Sequence, residues 1–415
     1  MSELVAIENA RIWDGSGAEP FAGTVLIEGE RINAVMATNE AQIPDGARRI
    51  DAAGRFLMPG LVEGHAHPSF LDVARPQALG ETPPEDHAIA TLVNAQKLLD
   101  AGFTSLCSAA SAKIRVDVAV RDAINSGAVS GPRMLAASPE ITVTGGLGDA
   151  NREHQPMTGF GLVADGAEQI RAATRVCLRE GVDIVKINIS GDAGVESATH
   201  QHTVMTDEEI AAAVQTTHAA GRRVAAHARA PESVKRAVHH GVDIIYHCDL
   251  ADEEALDLLE SVKDRIFTGP AIGIIITRLE SLRGDNSARA GVLRDRLTEI
   301  FEASCVTHAK MRERGIPVVI GGDYGFNVNP QGTNAKDLGY FVRHFGFSPS
   351  EALQAATRIG GEIMLMKHEL GLIKPGYLAD LLLVDADPLA DVTVLEDGSK
   401  LAMIMLGGTF RKLQV

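Results

Sequence analysis

The chain has 415 residues, enough for one barrel-sized domain with an elaboration or for roughly two to three average domains. Its 55 acidic residues outnumber its 39 lysines and arginines, so the formal net charge is −16. No cluster of basic residues stands out, which argues against nucleic acid or an anionic membrane as a partner.

Both ends of the chain have the pattern of β structure. Residues 1 to about 56 alternate short apolar runs with turn residues, which is typical of antiparallel strands. The pattern returns near the C-terminus, at residues 379–384 and 403–408. We therefore predict one small domain, a β-sandwich, built from residues 1–57 and 366–415.

The middle of the chain, residues 58–365, alternates apolar β runs with amphipathic helical stretches. A first strand ends in two histidines, and the patterns predict seven more strands at residues 103–107, 133–137, 184–189, 223–227, 244–247, 266–270 and 318–323. Helices are predicted between them, at residues 88–101, 166–180, 206–220, 231–240, 251–263 and 289–314. Eight such units predict an α/β fold, a closed (β/α)8 barrel of TIM type, with a doubly wound open sheet as the alternative.

The first strand of this middle region ends in His65 and His67. On a strand, residues i and i+2 point to the same face, so both imidazoles can aim at one point. Imidazole is a common ligand of divalent transition metals. This pair therefore predicts part of a metal site.

Four other predicted strands carry a metal-competent or charged side chain, and barrel enzymes place their chemistry at the C-terminal ends of strands. Lys186 lies inside the fourth strand, His227 and His247 end the fifth and sixth, and Asp323 ends the eighth. Each residue alone has an ordinary explanation: a histidine at a strand end can simply be hydrogen-bonded, and the aspartate can belong to a turn. A buried lysine can pair with a carboxylate, extend its amine to solvent or be chemically modified. Their coincidence on equivalent positions indicates one site. Tyr246 is expected to point outward to the helices.

These residues, in this order and on these strands, resemble the metal signature of the amidohydrolase superfamily. The resemblance extends to residues 53–61 before the histidines and to residues 370–381 near the end. Within the superfamily the chain is most similar to the branch related to imidazolonepropionase, which contains prolidase-like enzymes.

The resemblance implies a site with two divalent metal ions, with zinc expected and manganese, cobalt or iron as alternatives. The implied ligands are His65, His67 and Asp323 for the first ion, His227 and His247 for the second, and a CO₂-derived carbamate on Lys186 between them. A hydroxide that bridges both metals would attack a carbonyl, and Asp323 would pass its proton to the leaving nitrogen.

The loops that follow the strands are expected to determine the substrate. The longest, residues 143–160, contains His154 and has Leu147 where relatives often have histidine. Arg229 has a guanidinium that can bind a substrate carboxylate or form a structural salt bridge. Tyr324 directly follows Asp323 and is a further candidate contact.

The leading functional prediction is hydrolysis of a C–N amide bond in a dipeptide, an N-acyl amino acid or a xenobiotic amide. Hydrolytic substitution on a heteroaromatic ring, as in a deaminase or dehalogenase, is the alternative, although Lys186 argues against it because superfamily deaminases usually use one metal. A third alternative is a scaffold that has lost its metals.

The sequence also leads to expectations about location and partners. The N-terminal residues lack a basic stretch and an apolar stretch, so we expect no signal peptide, and no run reaches the ~18 apolar residues of a membrane span. The cysteines lie singly along the chain, which fits a reducing compartment. We expect a cytoplasmic homo-oligomer that acts on a small molecule and binds neither nucleic acid nor membrane.

Overall fold

The computed structural model of the chain describes residues 3–37 and 43–414. It divides into two compact units, the first formed by Met1–Glu63, Gln96–Leu106 and Gly332–Val415 and the second by Gly64–Ala95 and Cys107–Gln331. The parts of the predicted terminal β domain that fall on residues 1–2, 38–42 and 415 lie outside the described residues.

The strands, in chain order, are β1 (Leu4–Ile12), β2 (Phe21–Glu28), β3 (Arg31–Ala37), β4 (Arg48–Asp51), β5 (Phe56–Pro59), β6 (Leu61–Ala66), β7 (Phe103–Ser108), β8 (Arg133–Leu135), β9 (Ala137–Thr142), β10 (Gly161–Val163), β11 (Ile184–Asn188), β12 (Arg223–Ala228), β13 (Ile244–His247), β14 (Phe267–Gly269), β15 (Leu381–Val384), β16 (Leu401–Leu406) and β17 (Thr409–Leu413).

The α-helices are α1 (Ala78–Glu81), α2 (Pro84–Asp100), α3 (Val116–Asn125), α4 (Gly166–Arg179), α5 (Asp207–Ala219), α6 (Pro231–His240), α7 (Glu253–Ser261), α8 (Ile272–Ser281), α9 (Ala288–Glu313), α10 (Lys336–Phe345), α11 (Pro349–Ala356) and α12 (Arg358–Ile363), with two short 3₁₀ helices at Val392–Glu396 and Gly398–Lys400.

The six predicted helices of the middle region are confirmed as α2, α4, α5, α6, α7 and α9. Local capping explains several of their ends. Thr206 and Glu209 form a capping box at the start of α5, which satisfies two backbone N–H groups that have no partner within the helix. Helix α6 begins with Pro231 and ends at Gly241, which adopts the left-handed conformation that favours glycine.

The first unit contains one eight-stranded sheet to which both ends of the chain contribute. Its strands run in the order β17-β16-β15-β5-β1-β2-β3, and β4 pairs with β1. The apolar side chains between them, such as Ile7, Val25 and Leu383, are fully buried and form the core of this unit. The β segments at the two ends of the chain, both predicted from the sequence, therefore contribute strands to one sheet.

The second unit contains a six-stranded sheet in the order β10-β9-β11-β12-β13-β14, and every pair in it is parallel. Helices alternate with its strands along the chain, so the architecture is α/β with a parallel sheet. A separate three-stranded sheet has the order β6-β7-β8 and includes the strand that carries His65.

The eighth predicted strand, residues 318–323, differs from the structure. The segment forms no regular strand, and its one ladder contact is a parallel bridge between Val318 and Thr268 of β14. Two consecutive glycines, Gly321 and Gly322, weaken strand propensity here and allow a different backbone path. The structure instead uses this segment to carry Asp323.

Two further features concern the chain as a whole. None of the helices in the part of the chain that the structure describes is long and apolar enough to cross a membrane. The cysteines at positions 107, 177, 248 and 305 are free thiols, and all but Cys305 are buried.

Candidate metal centre

Two glycines let the segment that carries Asp323 lie directly against the end of β6. The backbone N–H of Gly64 donates to the carbonyl of Ile320 at 3.0 Å. A Cβ on Gly64 would lie 2.5 Å from Cγ2 of Val319, and a Cβ on Gly321, where φ is 153°, would lie 2.3 Å from Cβ of His65. No larger residue fits at either position, so glycine is required for this close approach.

The close approach brings His65, His67 and Asp323 together, with one ligand atom of each within 4.8 Å of the others. Nδ1 of His67 lies 2.9 Å from the carbonyl of Ala110, which can only accept, so Nδ1 donates and a neutral ring keeps its lone pair on Nε2. That Nε2 lies 3.2 Å from Oδ1 of Asp323. Two acceptor atoms at this distance are stable only with a cation or a proton between them, so the geometry fits a metal ion.

His227 and His247 form a second pair of rings, with centroids 4.2 Å apart. The ring of His247 also lies 5.3 Å from that of His65, so the two groups of histidines are adjacent. Nε2 of His227 donates to the carbonyl of Gly191 at 3.1 Å, which leaves the lone pair on Nδ1.

The buried histidines are suited to bind a metal because they are neutral. Burial lowers the pKa of His65 and His247 well below its usual value, and it lowers the pKa of His227 to about 3. Nδ1 of His65 and Nδ1 of His247 have no hydrogen-bond partner among the described residues. Neutral imidazoles with unused nitrogen atoms in a buried cluster fit divalent metal ions of the kind that histidine prefers.

Backbone strain accompanies two of these residues. His247 has φ of 76° and Asp323 has φ of 58°, and both lie in the left-handed region that side chains with a Cβ rarely adopt. Such a conformation costs about 1–3 kcal/mol and persists where the surroundings impose it. Here it accompanies His247, whose ring packs against that of His65, and Asp323, which faces His67.

Tyr246 does not point outward to the helices, so that expectation is wrong. Its hydroxyl donates to the carbonyl of Gly64 at 2.7 Å, and its ring centroid lies 3.9 Å from that of His65. Strand alternation would separate Tyr246 from His247 only if the backbone stayed extended, and it leaves the extended conformation at His247. Both side chains therefore enter the site.

Lys186 on β11 is buried, with 1% of its surface exposed. Its Nζ lies 4.8 Å from the ring centroid of Tyr246, and no carboxylate of a described residue is within ion-pair distance. Burial lowers the pKa of Lys186, while the more distant charges of Glu140 and Asp323 oppose that shift. An ammonium in this position is unfavourable, so the site favours a neutral or modified amine.

Glu140 is a buried acid beside this lysine that the sequence reasoning missed. It lies on β9, and its Oε2 accepts from Nδ2 of Asn188 at 2.8 Å. Burial raises the pKa of its carboxyl group, and the charge of Lys186 opposes that shift. The predicted third strand stopped at residue 137, whereas β9 continues to Thr142, so a longer strand with a charged residue inside would have been the signal.

Arg229 forms structural salt bridges, which is one of the two roles that the sequence leaves open for it. It is 2% exposed, its Nε donates to Asp192 at 2.8 Å, and its Nη1 donates to Asp249. Asp192 also lies 3.7 Å from Nε2 of His227. The guanidinium therefore ties the ends of β11 and β13 to the strand that carries His227.

The other predicted substrate contacts differ in exposure. Leu147 is half-buried, and its carbonyl accepts from Nδ2 of Asn188 at 2.9 Å, which attaches the long loop to β11. Tyr324 is 1% exposed, whereas His154 is exposed. Contact of these three residues with a substrate remains a prediction from the sequence.

The glycine at position 321 offers a direct test of the close approach. We expect Gly321→Ala to lower metal affinity by about 10–100-fold, because the new Cβ must displace His65. Competition with a chelator measures this affinity. Gly291→Ala in α9 is the matched control, since a Cβ there meets no atom within 4 Å. Equal affinity in the two variants would contradict the steric argument.

The chain is similar to known proteins in both sequence and fold. The sequence model described as "Amidohydrolase family" matches residues 56–411. Ochratoxinase from Aspergillus niger is 24% identical over 423 residues, which covers 95% of this chain and 84% of that protein.

Two solved structures are also similar. A Xaa-Pro dipeptidase with methionine bound in its active site is 28% identical with a TM-score of 0.87, over 99% of this chain and 100% of that one. A prolidase in complex with N-methylphosphonate-L-proline is 25% identical with a TM-score of 0.86, over 99% of this chain and 100% of that one.

Proposed function

The chain belongs to the amidohydrolase family, and on this premise we propose that it is a metal-dependent hydrolase that cleaves a C–N amide bond. The substrate would be a dipeptide, an N-acyl amino acid or a xenobiotic amide. Similarity to a Xaa-Pro dipeptidase and to a prolidase supports an amide as the target. The observation that carries the proposal is the cluster of His65, His67 and Asp323, in which one ligand atom of each residue lies within 4.8 Å of the others.

We propose two divalent metal ions in this site, with zinc expected and manganese, cobalt or iron as alternatives. The proposed ligands are His65, His67 and Asp323 for one ion, His227 and His247 for the other, and Lys186 between them. When bound, the ions would lower the pKa of a shared water and polarise the carbonyl of the amide.

The environment of Lys186 supports a carbamate on its Nζ. Carbamate formation needs a neutral amine, and burial lowers the pKa of this lysine. The neutral amine forms a bond to CO₂ and loses one proton, which leaves an anionic carbamate. An anion is the favourable charge beside two divalent ions.

Asp323 is the proposed proton carrier. Burial would raise the pKa of its carboxyl group, but the hydrogen bond with His67 outweighs this and holds the pKa well below its usual value. The group is therefore a carboxylate at neutral pH. The oxygen that does not face His67 would accept a proton from the attacking water and deliver it to the leaving nitrogen.

The finer features of the fold are also proposals. We propose that the second unit closes as a (β/α)8 barrel, which the bridge from Thr268 to Val318 and the bond from Gly64 to Ile320 support. The terminal sheet would be part of a β-sandwich, with domain boundaries at 1–57, 58–365 and 366–415. From the sequence we further propose a cytoplasmic homo-oligomer.

Removal of metal tests the first part of the proposal. We expect the purified protein to contain up to two ions per chain, and prolonged chelation to abolish hydrolysis, which added zinc, manganese or cobalt then restores. Elemental analysis of the same samples measures the metal content. Full activity in protein shown to be metal-free would contradict the proposal.

A panel of substrates tests the bond that is cleaved. Dipeptides, N-acyl amino acids and heteroaromatic amines or halides are compared at fixed metal content. Release of an amine together with a carboxylate supports amide hydrolysis. Turnover of the heteroaromatic compounds alone would instead support the alternative, hydrolytic substitution on a ring.

A further inference from the structure

Three phenylalanines form an aromatic wall beside the candidate metal centre. The ring of Phe70 stacks on that of His67, with centroids 4.2 Å apart and an interplanar angle of 11°. Phe160 and Phe326 each pack edge-on against Phe70, at 5.8 Å and 5.6 Å. The three come from different loops and are almost fully buried. They form an apolar cluster next to His67, a proposed ligand, and Phe160 and Phe326 each keep 9% of their surface exposed.

Arg278 lies at the end of this wall. It is in the last turn of α8, and its Cζ lies 5.5 Å from the ring centroid of Phe326. Its charge also contributes to the lowered pKa of Asp192, although burial and the charge of Arg229 affect that pKa more strongly. Arg278 is thus close both to the aromatic wall and to the loop after β11.

The guanidinium of Arg278 can donate hydrogen bonds to a ligand, whereas that of Arg229 is already engaged. Arg229 is paired with two aspartates, whereas no ion pair or side-chain hydrogen bond of Arg278 is present within residues 3–37 and 43–414. An arginine held over an aromatic face keeps its donors free in the plane of the guanidinium. Those donors match the two oxygens of a carboxylate.

We propose that Arg278 binds the carboxylate of the substrate while Phe326 and Phe70 contact a large apolar group next to the scissile amide. The substrate class is then N-acyl amino acids and dipeptides that have a free carboxylate and an aromatic or bulky apolar side chain. This inference rests on the proposed amide hydrolase function and specifies its substrate.

Three related amides separate the two contacts. N-acetyl-L-phenylalanine has both the ring and the carboxylate, N-acetyl-2-phenylethylamine lacks the carboxylate, and N-acetyl-L-alanine lacks the ring. We expect kcat/KM of the metal-loaded protein to be about 10–100-fold higher for the first than for the second, because the carboxylate forms charge-assisted hydrogen bonds. The third should also be hydrolysed less efficiently than the first.

Substitution of Arg278 tests the residue itself. Arg278→Met should raise KM for N-acetyl-L-phenylalanine by about 10–100-fold with little change in kcat, and should leave N-acetyl-2-phenylethylamine unaffected. Arg283→Met is the control, because it removes a positive charge just beyond the end of α8, where the side chain is 80% exposed. It should change neither KM nor kcat for either amide. Phe326→Leu should reduce the preference for the ring and keep the preference for the carboxylate.

Calorimetry with L-phenylalanine, the expected product, provides a measurement independent of turnover. Its affinity should fall by about 10–100-fold in Arg278→Met and stay constant in Arg283→Met. Equal KM values for wild type and Arg278→Met, or equal product affinity, would overturn the role of Arg278 while amide hydrolysis stands. If the wild type hydrolyses none of these amides and no amide of the wider substrate panel, the proposed function fails, and the calorimetry still decides whether Arg278 binds a carboxylate.

Discussion

Asp323→Asn is expected to lower kcat by about 10²–10⁴-fold, the usual effect of removing a positioned general acid or base. The amide has nearly the shape of the carboxylate and can still bind through its oxygen, but it cannot accept the proton from the attacking water. The left-handed backbone at this position, with φ of 58°, tolerates asparagine as readily as aspartate. The fold should therefore persist, which circular dichroism and the thermal midpoint can check.

The effect on chemistry must be separated from the effect on metal binding, since Asp323 is also a proposed ligand. Turnover is therefore measured at saturating metal and divided by the metal content of the same sample. The control is Asp264→Asn, which changes an exposed carboxylate in the loop before β14 and should leave kcat unchanged. Wild-type turnover in metal-loaded Asp323→Asn would remove this residue from the mechanism.

Lys186→Ala is expected to lose most of its bound metal and to reduce kcat/KM by about 10³-fold or more. The truncation removes the proposed bridge between the ions, and the several kcal/mol that metals supply to the transition state would be lost with it. The cavity left by the side chain lies beside Tyr246. Short carboxylic acids such as acetate or propionate can enter such a space and restore part of the metal content and activity.

Rescue distinguishes loss of an anionic bridge from general damage to the core. The same acids should have no effect on the wild type or on Lys374→Ala, which truncates an exposed lysine of the other unit. Mass spectrometry of the native wild type should detect the added mass of CO₂, which the variant lacks. Full activity of Lys186→Ala without any added acid would contradict the carbamate bridge.

Much of the local structure could be predicted because it follows from short-range periodicity. The helical stretches of the middle region repeat their apolar residues every three to four positions, and six of them correspond to observed helices. His65 and His67 could be paired because residues i and i+2 on a strand share a face. Each inference needed only neighbouring residues.

Other features depend on residues that are distant in sequence. Tyr246 was assigned to the wrong face because alternation holds only for extended backbone, and the left-handed conformation of His247 is imposed by its surroundings. Glu140 was missed because the chain breaks its strand pattern near residue 136 and then continues as β9. The local sequence pattern contains neither the backbone conformation of His247 nor the continuation of the strand that carries Glu140.

The sequence by itself therefore determined the order of the elements, the β structure at both chain ends, and the residue types available for metal chemistry. Only the tertiary structure decided that Gly64 and Gly321 bring Asp323 to within 3.2 Å of His67. It also decided that Arg229 forms ion pairs, whereas Arg278 forms none with the residues that the structure describes. The physical reason is that periodicity encodes the face on which a side chain lies. Its partners depend on how closely distant segments can pack.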